Sequence, residues 1–335
     1  MSFKGKTVAI TGACGTVGRE LVRQVSAAGA FRVICLDNNE SELFFLKEDY
    51  RDFDGVECYL SDIRDLESLT HRMEGVDVLI HSAAFKHVGL CEDSPRQAIR
   101  TNIQGTQNVI DAALAARVGR VLFTSSDKAV NPTNVMGTTK LMGERLMTAA
   151  HQSNPKAGTV FASTRFGNVL GSRGSVVPLF AQQIRNGQDV TLTDAEMTRF
   201  IMTLEEAVKL VLDSVWLAQG GEVFVTKMPV VRIKDVADYM CTAIAPGKNI
   251  RVIEIGAKPG EKMYEELMND EEVRRTYDIG DFFVVRSAFD DPTIPHALTD
   301  GRPKPDRPYN SANETAVTPV DLAAYFVKNK VLAAA

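Results

Sequence analysis

Apolar runs and helix-period segments alternate through the first half of the chain. Short runs of apolar and β-branched residues predict strands at 7–11, 31–36, 56–60, 76–81, 120–124 and 159–166. Between them, apolar residues spaced three or four apart predict helices, including 19–28, 95–116 and 134–151. Strands that alternate with helices form parallel sheets. The pattern therefore predicts an α/β fold, a Rossmann-like doubly wound parallel sheet with helices on both faces.

The pattern changes after Phe166. Segment 167–178 is rich in Gly and Ser and has no periodicity, and segment 300–313 is rich in Pro, Asp and Arg and is predicted to be irregular. Other predicted elements are helices at 179–186, 204–217, 233–244 and 320–330 and strands at 189–193, 222–226 and 250–255. We predict an NAD-binding Rossmann domain over 1–166, to which later segments can return, and a smaller C-terminal α/β domain for substrate over 167–335.

Three glycines stand at the first strand–helix junction, with the spacing Gly-x-x-Gly-x-x-Gly. Glycine lets the backbone approach a pyrophosphate closely, and the amides at the start of the following helix face its charge. The junction therefore predicts a dinucleotide site that includes Gly12, Gly15, Thr16, Val17 and Gly18.

The ends of the next strands extend this cofactor site. Asp37 lies 19 residues after Gly18, where a carboxylate accepts hydrogen bonds from both ribose hydroxyls and repels a 2′-phosphate, so NAD is favoured over NADP. The same aspartate is also compatible with capping the helix that follows. Other cofactor contacts are predicted at Asn38, Asp62, Ile63, Ala83, Ala84, Lys86 and Asn102. Lys86 has two interpretations, a solvated loop lysine or a lysine that faces the active site.

The fifth strand leads into a stretch, 124–140, that contains several residues able to act as acids or bases. Asp127 and Lys128 offer an adjacent acid and base, although a surface ion pair or a cap would have the same sequence. Lys140 stands one helical turn after Met136, a position where many nicotinamide enzymes of this shape have a tyrosine. The alternative interpretation of Lys140 is a solvated helix lysine. A thioether cannot take a proton, and none of the seven tyrosines precedes a lysine by four residues.

Composition excludes several classes of function. The net charge of −5 over 335 residues gives no basic surface for nucleic acid or an anionic membrane. The N-terminus runs straight into a strand and no apolar run reaches the length of a membrane span, so we expect a cytoplasmic protein. The five cysteines are widely spaced, lack His neighbours and are predicted to be reduced, with no metal site.

The glycine turn, the 124–140 stretch, the segment from Arg165 to Pro178 and Lys258-Pro-Gly-Glu-Lys262 together resemble the nucleotide-sugar 4,6-dehydratases of bacterial polysaccharide biosynthesis. These enzymes are extended short-chain dehydrogenase/reductases. The resemblance covers residues 5 to 330. It implies UDP-N-acetylglucosamine as substrate, a tightly bound NAD that is regenerated in each turnover, a 4-keto-6-deoxy sugar as product, and a homo-oligomer.

The chemistry of such a reaction assigns roles to the 124–140 stretch. Oxidation at C4 creates a ketone that acidifies the C5 hydrogen, after which a base removes that hydrogen and an acid protonates the departing 6-hydroxyl. We predict Asp127, protonated, as the acid and Lys128, neutral, as the base. The proton of the 4-hydroxyl leaves through Asp127, a neutral lysine, or a relay of Ser125 or Ser126 and water.

The resemblance also implies that Lys140 hydrogen-bonds the nicotinamide ribose. A methionine at position 136 resembles the branch that retains the configuration at C5, whereas the tyrosine-bearing branch inverts it. The implied substrate-binding residues are Lys86, Asn168, Val169, Ser172, Arg173, Ser175, Arg199, Arg232 and Glu261. Two rival functions stay open: a UDP-sugar 4-epimerase, and a nucleotide-binding regulator that lost its tyrosine.

Overall fold

The computed structural model describes residues 2–172, 175–256, 262–290 and 295–333. The strands are β1 (Thr7–Thr11), β2 (Arg32–Asp37), β3 (Val56–Leu60), β4 (Val78–His81), β5 (Arg120–Thr124), β6 (Val160–Arg165), β7 (Asn168–Val169), β8 (Val190–Leu192), β9 (Thr198–Met202), β10 (Val223–Thr226), β11 (Val230–Arg232), β12 (Val252–Glu254), β13 (Glu266–Met268), β14 (Thr276–Asp278), β15 (Phe282–Val285) and β16 (Tyr309–Asn310). The α-helices are α1 (Thr16–Ala27), α2 (Glu40–Asp49), α3 (Leu66–Arg72), α4 (Val88–Asp93), α5 (Pro95–Ala98), α6 (Gly105–Ala115), α7 (Val135–Ser153), α8 (Val176–Arg185), α9 (Leu204–Leu217), α10 (Ile233–Ile244), α11 (Asp270–Val273) and α12 (Pro319–Lys328).

A nine-stranded sheet in the order β14-β15-β10-β6-β5-β4-β1-β2-β3 forms the centre of the molecule. The seven strands from β10 to β3 are parallel, and β15 is antiparallel to β10. The strand order reverses between β1 and β4, which makes the crevice at their carboxyl ends a topological switch point where ligands bind. The predicted doubly wound α/β fold is confirmed.

Apolar side chains cover both faces of this sheet. One face is packed by Leu21 of α1 and Val211 of α9, and the other by Leu69 of α3, Val109 of α6 and Met147 of α7. Burial of each such side chain contributes about 1.5–3 kcal/mol, so the two layers hold the carboxyl ends of the strands in fixed positions.

One prediction about regular structure is wrong, and several short strands were missed. The single helix expected over 95–116 is interrupted by a π-helical segment, Ile99–Gln104, between α5 and α6. Apolar periodicity does not reveal such a segment, because widening one turn preserves the composition. Strands β14 and β15 were not predicted, because three and four residues are too few to show a period of two.

The remaining C-terminal elements form a smaller α/β layer. Helices α8, α10 and α12 pack around Phe180, Val236 and Phe326, beside the parallel pair of β8 and β12. Two small sheets, β11-β9-β7 and β13-β16, complete the C-terminal half. Strands β10, β14 and β15 follow residue 166 but pair into the large sheet, and the domain boundary itself stays a prediction.

Three chemical features of the chain complete this description. All five cysteines are free thiols, as predicted, and Cys14, Cys35 and Cys91 are buried. No helix in the described part of the chain has the length and apolar character needed to cross a bilayer. Within the described ranges, His, Cys, Asp and Glu form no group arranged to hold a metal ion.

Candidate active site

The glycine turn lies against the end of β4. Gly12 has a φ of +70°, and a Cβ there would lie 2.7 Å from the amide nitrogen of Ala83. A Cβ on Gly18 would meet the carbonyl oxygen of Gly12 at 2.0 Å. Glycine is therefore required at both positions, and the turn leaves backbone exposed at the start of α1, where Thr16 and Val17 are the first residues. This arrangement fits a dinucleotide.

Asp37 ends β2 beside that turn. Its carboxylate accepts hydrogen bonds from the amides of Cys14 at 2.9 Å and Asn39 at 3.0 Å, which fixes it next to the glycines. Asn38 is exposed, and its amide lies 3.4 Å from the carboxylate of Asp62. Hydrogen bonds from Arg64 lower the pKa of Asp62 to about 2, so this carboxylate is ionised at neutral pH.

Ile63 and Asn102 contribute to packing and to loop geometry. The Ile63 side chain is buried, and its carbonyl accepts a hydrogen bond from Asn108 at 3.0 Å. Asn102 bonds the backbone N–H and C=O of Phe85 at 2.8 and 3.0 Å, and its amide donates to Thr139 at 2.9 Å. These bonds occupy the Asn102 side chain. Its position therefore supports the loop that follows Ala83 and Ala84, and the direct cofactor contact of Asn102 stays a prediction.

Lys140 is buried at the end of β5. Its Nζ donates to the carbonyl of Thr124 at 2.9 Å and lies 4.7 Å from the centre of the Phe123 ring. Burial lowers the pKa of Lys140 to about 8, against the opposing effect of Glu144. Nearby, the hydroxyl of Ser125 is buried without a hydrogen-bond partner among the described residues.

Met136 packs away from the chemistry. It is 3% exposed and lies in a small apolar cluster with Cys91 and Ala98, against Val88 and Val135. It does not line the cavity described below. The methionine at the tyrosine position of the predicted catalytic stretch therefore supports the contact of α7 with α4 and α5.

Asp127 and Lys128 form an ion pair in a 3₁₀ turn directly after β5. The Lys128 ammonium lies 3.0 and 3.2 Å from the two carboxylate oxygens of Asp127, and Ser126 Oγ donates to the same carboxylate at 2.7 Å. Ser126 also caps the turn by accepting a bond from the Lys128 amide at 3.2 Å. Asp127 is buried, while 34% of the Lys128 side chain is exposed. The turn thus presents a lysine held by a buried carboxylate.

The proton state of Lys128 differs from the predicted one. Removal from water lowers the pKa of Lys128, but the carboxylates of Asp127 and Glu265 outweigh that effect and raise the pKa above its usual value. Lys128 is therefore an ammonium at neutral pH in this structure, whereas we predicted a neutral amine. The lysine with a lowered pKa is Lys140.

A cavity of about 730 Å³ opens over this pair. We call the part of its lining that contains Asp127, Lys128, Asn168 and Arg199, which surround Glu265, the polar end. The lining also includes an apolar wall of Leu179, Phe180, Leu192, Ile201, Val236 and Ile255. A cavity with both charged and apolar lining suits a ligand that joins polar and flat apolar parts.

The predicted substrate-binding residues divide into three groups. Asn168, Val169, Ser175 and Arg199 line the cavity. The lining does not include Lys86, Ser172 and Arg232, and Lys86 and Arg232 are exposed. Arg173 and Glu261 lie outside the described residues, as does the quoted motif 258–262 apart from Lys262.

Glu265 is a cavity residue that sequence reasoning missed. It is 5% exposed and lines the cavity beside Asp127 and Lys128. Burial raises its pKa to about 7, and the charge of Asp127 acts in the same direction, against Lys128, Arg199 and Asn168. A period of two would place Glu265 on the same side as buried Leu267, but that signal is legible only once a strand is recognised there.

Comparison of this sequence with known proteins identifies a family and several relatives. A model of the family described as "Polysaccharide biosynthesis protein" matches residues 8–287. An uncharacterized membrane protein of Methanocaldococcus jannaschii is 46% identical, with 84% of this chain and 86% of that protein covered. A UDP-glucose 4-epimerase of Rickettsia bellii is 37% identical, with 84% and 83% covered. A UDP-N-acetylglucosamine 4,6-dehydratase (inverting) of Campylobacter jejuni is 36% identical, with 84% and 83% covered.

The solved structure of Pen from Bacillus thuringiensis matches almost the whole chain. Its TM-score is 0.91 at 40% sequence identity, and 99% of each chain is covered. The similarity therefore extends beyond the nine-stranded sheet to the C-terminal elements that line the cavity.

Proposed function

We propose that this chain, which belongs to the polysaccharide biosynthesis protein family through its match over residues 8–287, is an NAD-dependent UDP-N-acetylglucosamine 4,6-dehydratase. Its relatives include nucleotide-sugar dehydratases and epimerases. The observation that carries the choice of a dehydratase is the Asp127–Lys128 pair at the polar end of the cavity. Elimination of water needs a base for the C5 hydrogen beside an acid for the departing 6-hydroxyl, whereas epimerisation at C4 moves only the C4 hydride and the proton of the 4-hydroxyl.

In this proposal, one proton shared by Asp127 and Lys128 sets the proton states of both residues during elimination. Lys128 holds this proton 3.0 Å from Asp127. Its transfer along this contact gives a neutral Lys128 and a protonated Asp127, the two states that elimination requires. Lys128 then takes the proton from C5, and Asp127 gives its proton to the departing 6-hydroxyl. A relay of Ser126, which bonds Asp127, and water would pass the proton of the 4-hydroxyl to solvent. After Lys128 has returned a proton to C5, one proton from solvent restores the pair.

The cofactor site is formed by residues at the strand ends. In our proposal Gly12, Gly18 and the first amides of α1 hold the pyrophosphate, Asp37 holds the adenosine ribose, and Lys140 bonds the nicotinamide ribose. When bound, NAD accepts a hydride from C4 of the sugar and returns it to C6. The buried positive charge of Lys140 favours electron-rich oxygens at this place.

The substrate fits the cavity by chemistry. We place the sugar at Asp127 and Lys128 and the diphosphate near Asn168 and Arg199. The uracil would lie against the apolar wall of the cavity. Guanidinium and amide donors suit phosphate oxygens, and a flat base suits an apolar wall.

A reaction in deuterated water tests the proposal. Purified protein given UDP-N-acetylglucosamine should form UDP-2-acetamido-2,6-dideoxy-xylo-hexos-4-ulose, with the 6-oxygen lost and one deuterium at C5, as shown by mass spectrometry and NMR. Asp127→Asn and Lys128→Ala should each lower kcat by about 10²–10⁴-fold, because each removes one proton-transfer partner. Lys209→Ala, on an exposed part of α9, is the matched control. A product that keeps its 6-oxygen would contradict the proposal.

We also propose that C5 keeps its configuration. The support is Met136, because a methionine at this position resembles the branch of the family that retains the configuration. The Campylobacter jejuni relative, by contrast, is named inverting. A reaction run in ordinary water distinguishes the outcomes. A nuclear Overhauser effect between H5 and H3 of the product indicates retention, and one between the 6-methyl group and H3 indicates inversion.

A 4-epimerase is the second candidate, because relatives with that name match over 84% of the chain. It predicts interconversion of the 4-epimers of a UDP-sugar without loss of water. It also predicts that Lys128→Ala stays active, whereas a dehydratase loses activity.

A further inference from the structure

Glu265 holds the two groups that we assign to the diphosphate. Its Oε1 accepts a hydrogen bond from the Asn168 amide at 2.6 Å and lies 3.4 Å from Nε of Arg199. Its Oε2 accepts a bond from the amide of Phe200 at 3.0 Å. One carboxylate therefore ties β7 to β9 at the polar end of the cavity.

The rest of the Arg199 guanidinium is occupied as well. Its two terminal nitrogens donate to the carbonyls of Thr198, Met263 and Lys262, at 2.8, 3.2 and 2.8 Å. A phosphate that approaches Arg199 along Nε must therefore lie beside the Glu265 carboxylate. Two anions would then meet at one guanidinium.

Four described residues act on the charge of Glu265. Asp127 and Lys128 face it from the 3₁₀ turn, Arg199 from β9 and Asn168 from β7. The loop after β16 contributes no charge, since Ser311 only bonds its backbone. The neighbouring Glu266 and Lys262 pair with each other at 2.8 Å. No additional cation among the described residues that face Glu265 can compensate for a second anion brought in by the substrate.

We propose that Glu265 is a positioning residue that orients Asn168 and Arg199 in the empty site and takes up a proton from solvent when the diphosphate of a nucleotide sugar binds there. This inference rests on the proposed function. The step is balanced: one carboxylate and one solvent proton give one carboxylic acid. That acid keeps its place in the network, because its carbonyl still accepts a bond and its new hydroxyl donates to a phosphate oxygen. The pKa of about 7 in the empty site makes the uptake possible near neutral pH.

Calorimetry of UDP binding at pH 8 tests the inference. The apparent enthalpy is measured in buffers of different ionisation enthalpy, and its slope gives the number of protons taken up. Wild type should take up close to one proton, because Glu265 is then largely ionised before binding. Glu265→Gln should bind UDP with little uptake, Glu265→Asp should restore part of it, and the exposed Glu196→Gln should match wild type. Equal uptake by wild type and Glu265→Gln would overturn the inference.

Kinetics of the wild type give a second test that needs no folded variant. KM for UDP-N-acetylglucosamine should rise about tenfold per pH unit above pH 7, because binding then requires a proton, while kcat follows the Asp127–Lys128 pair. A KM that is constant from pH 6.5 to 8.5 would overturn the inference. The failures are distinguishable: UDP binding without proton uptake rejects the role of Glu265 alone, whereas absence of water loss from the substrate rejects the proposed function.

Discussion

Lys140 shows how burial and charge compete within one side chain. It is 7% exposed, and its ammonium has the carbonyl of Thr124 and the ring of Phe123 as neighbours. Glu144 opposes the effect of burial, yet the pKa falls to about 8. A lysine in this state is charged at neutral pH but loses its proton more readily than a solvated one.

This shift predicts how stability depends on pH. The folded pKa of Lys140 lies below the unfolded value of 10.5, so between about pH 8 and 10.5 the unfolded chain binds a proton that the folded chain does not. The free energy of unfolding of wild type, relative to Lys140→Met, should therefore rise by about 3 kcal/mol across this window. Urea unfolding from pH 7.5 to 10 measures it. Lys209→Met, on the surface, is the control that should show no such rise, and a constant difference for Lys140→Met would contradict the assignment.

The sequence predicted which residues lie in the candidate site more successfully than it predicted which residues contact each other there. Asp127 and Lys128 were predicted from the 124–140 stretch, Asn168 and Arg199 from the family resemblance, and the structure brings all four to one cavity. The partner that couples them, Glu265, was missed, because its contacts span 65 and 97 residues of chain. The local pattern of apolar residues predicts which face of a helix or strand is buried. It does not predict which distant residues that face contacts.

At the scale of elements, the start of α7 packs closely against the 3₁₀ turn of Asp127 and Lys128. A Cβ on Gly137 would lie 2.2 Å from the carbonyl oxygen of Lys128 and 3.2 Å from Cβ of Pro132. Only glycine lets the helix approach this closely. The distance between α7 and the turn therefore depends on the residue next to Met136.

Gly137→Ala tests this contact. The added methyl group should push α7 away from the turn, lower kcat about tenfold or more, and cost about 1–3 kcal/mol of stability. Gly89→Ala is the matched control for stability: it lies in α4, and an added Cβ meets no atom within 4 Å. That change should leave stability equal or raise it by up to about 1 kcal/mol. Unchanged kcat in Gly137→Ala would show that the helix does not position Lys128.

Prediction of whole elements succeeded where apolar periodicity is long. The period-3.6 patterns of α9 and α10 gave their bounds, Leu204–Leu217 and Ile233–Ile244. The π-helical segment and the short strands β14 and β15 were missed. Their formation depends on hydrogen-bond register and on a neighbouring sheet edge, neither of which leaves a repeat in the sequence.

At the scale of the molecule, Arg165 joins the two halves of the chain. Its buried guanidinium lies 2.6 Å from Glu144 of α7 and 2.8 Å from Glu272 of α11, and it also donates to the carbonyl of Leu267 at 3.0 Å. The segment that carries Glu265 is thereby fixed to β6. The cavity depends on this connection, because its polar end draws on both halves. Self-association stays a prediction.

Arg165→Met should be strongly destabilising. It leaves two buried carboxylates without their partner, which costs about 3–5 kcal/mol in the free energy of unfolding. Lys209→Ala breaks an exposed ion pair of α9 and should cost at most about 0.5 kcal/mol. Urea unfolding of the three proteins at pH 7 compares them. A cost below about 1 kcal/mol for Arg165→Met would show that the buried pair does not join the halves.

The place of β15 beside β10 has a consequence during synthesis on the ribosome. Strand β10 ends at Thr226, but the strand that covers its open edge begins at Phe282, so 55 residues must be made between them. At typical translation rates this interval lasts roughly 3–11 s. For that time an apolar strand, Val-Phe-Val-Thr, presents unpaired backbone groups in the nascent chain. We expect chaperones to engage the nascent chain in this interval.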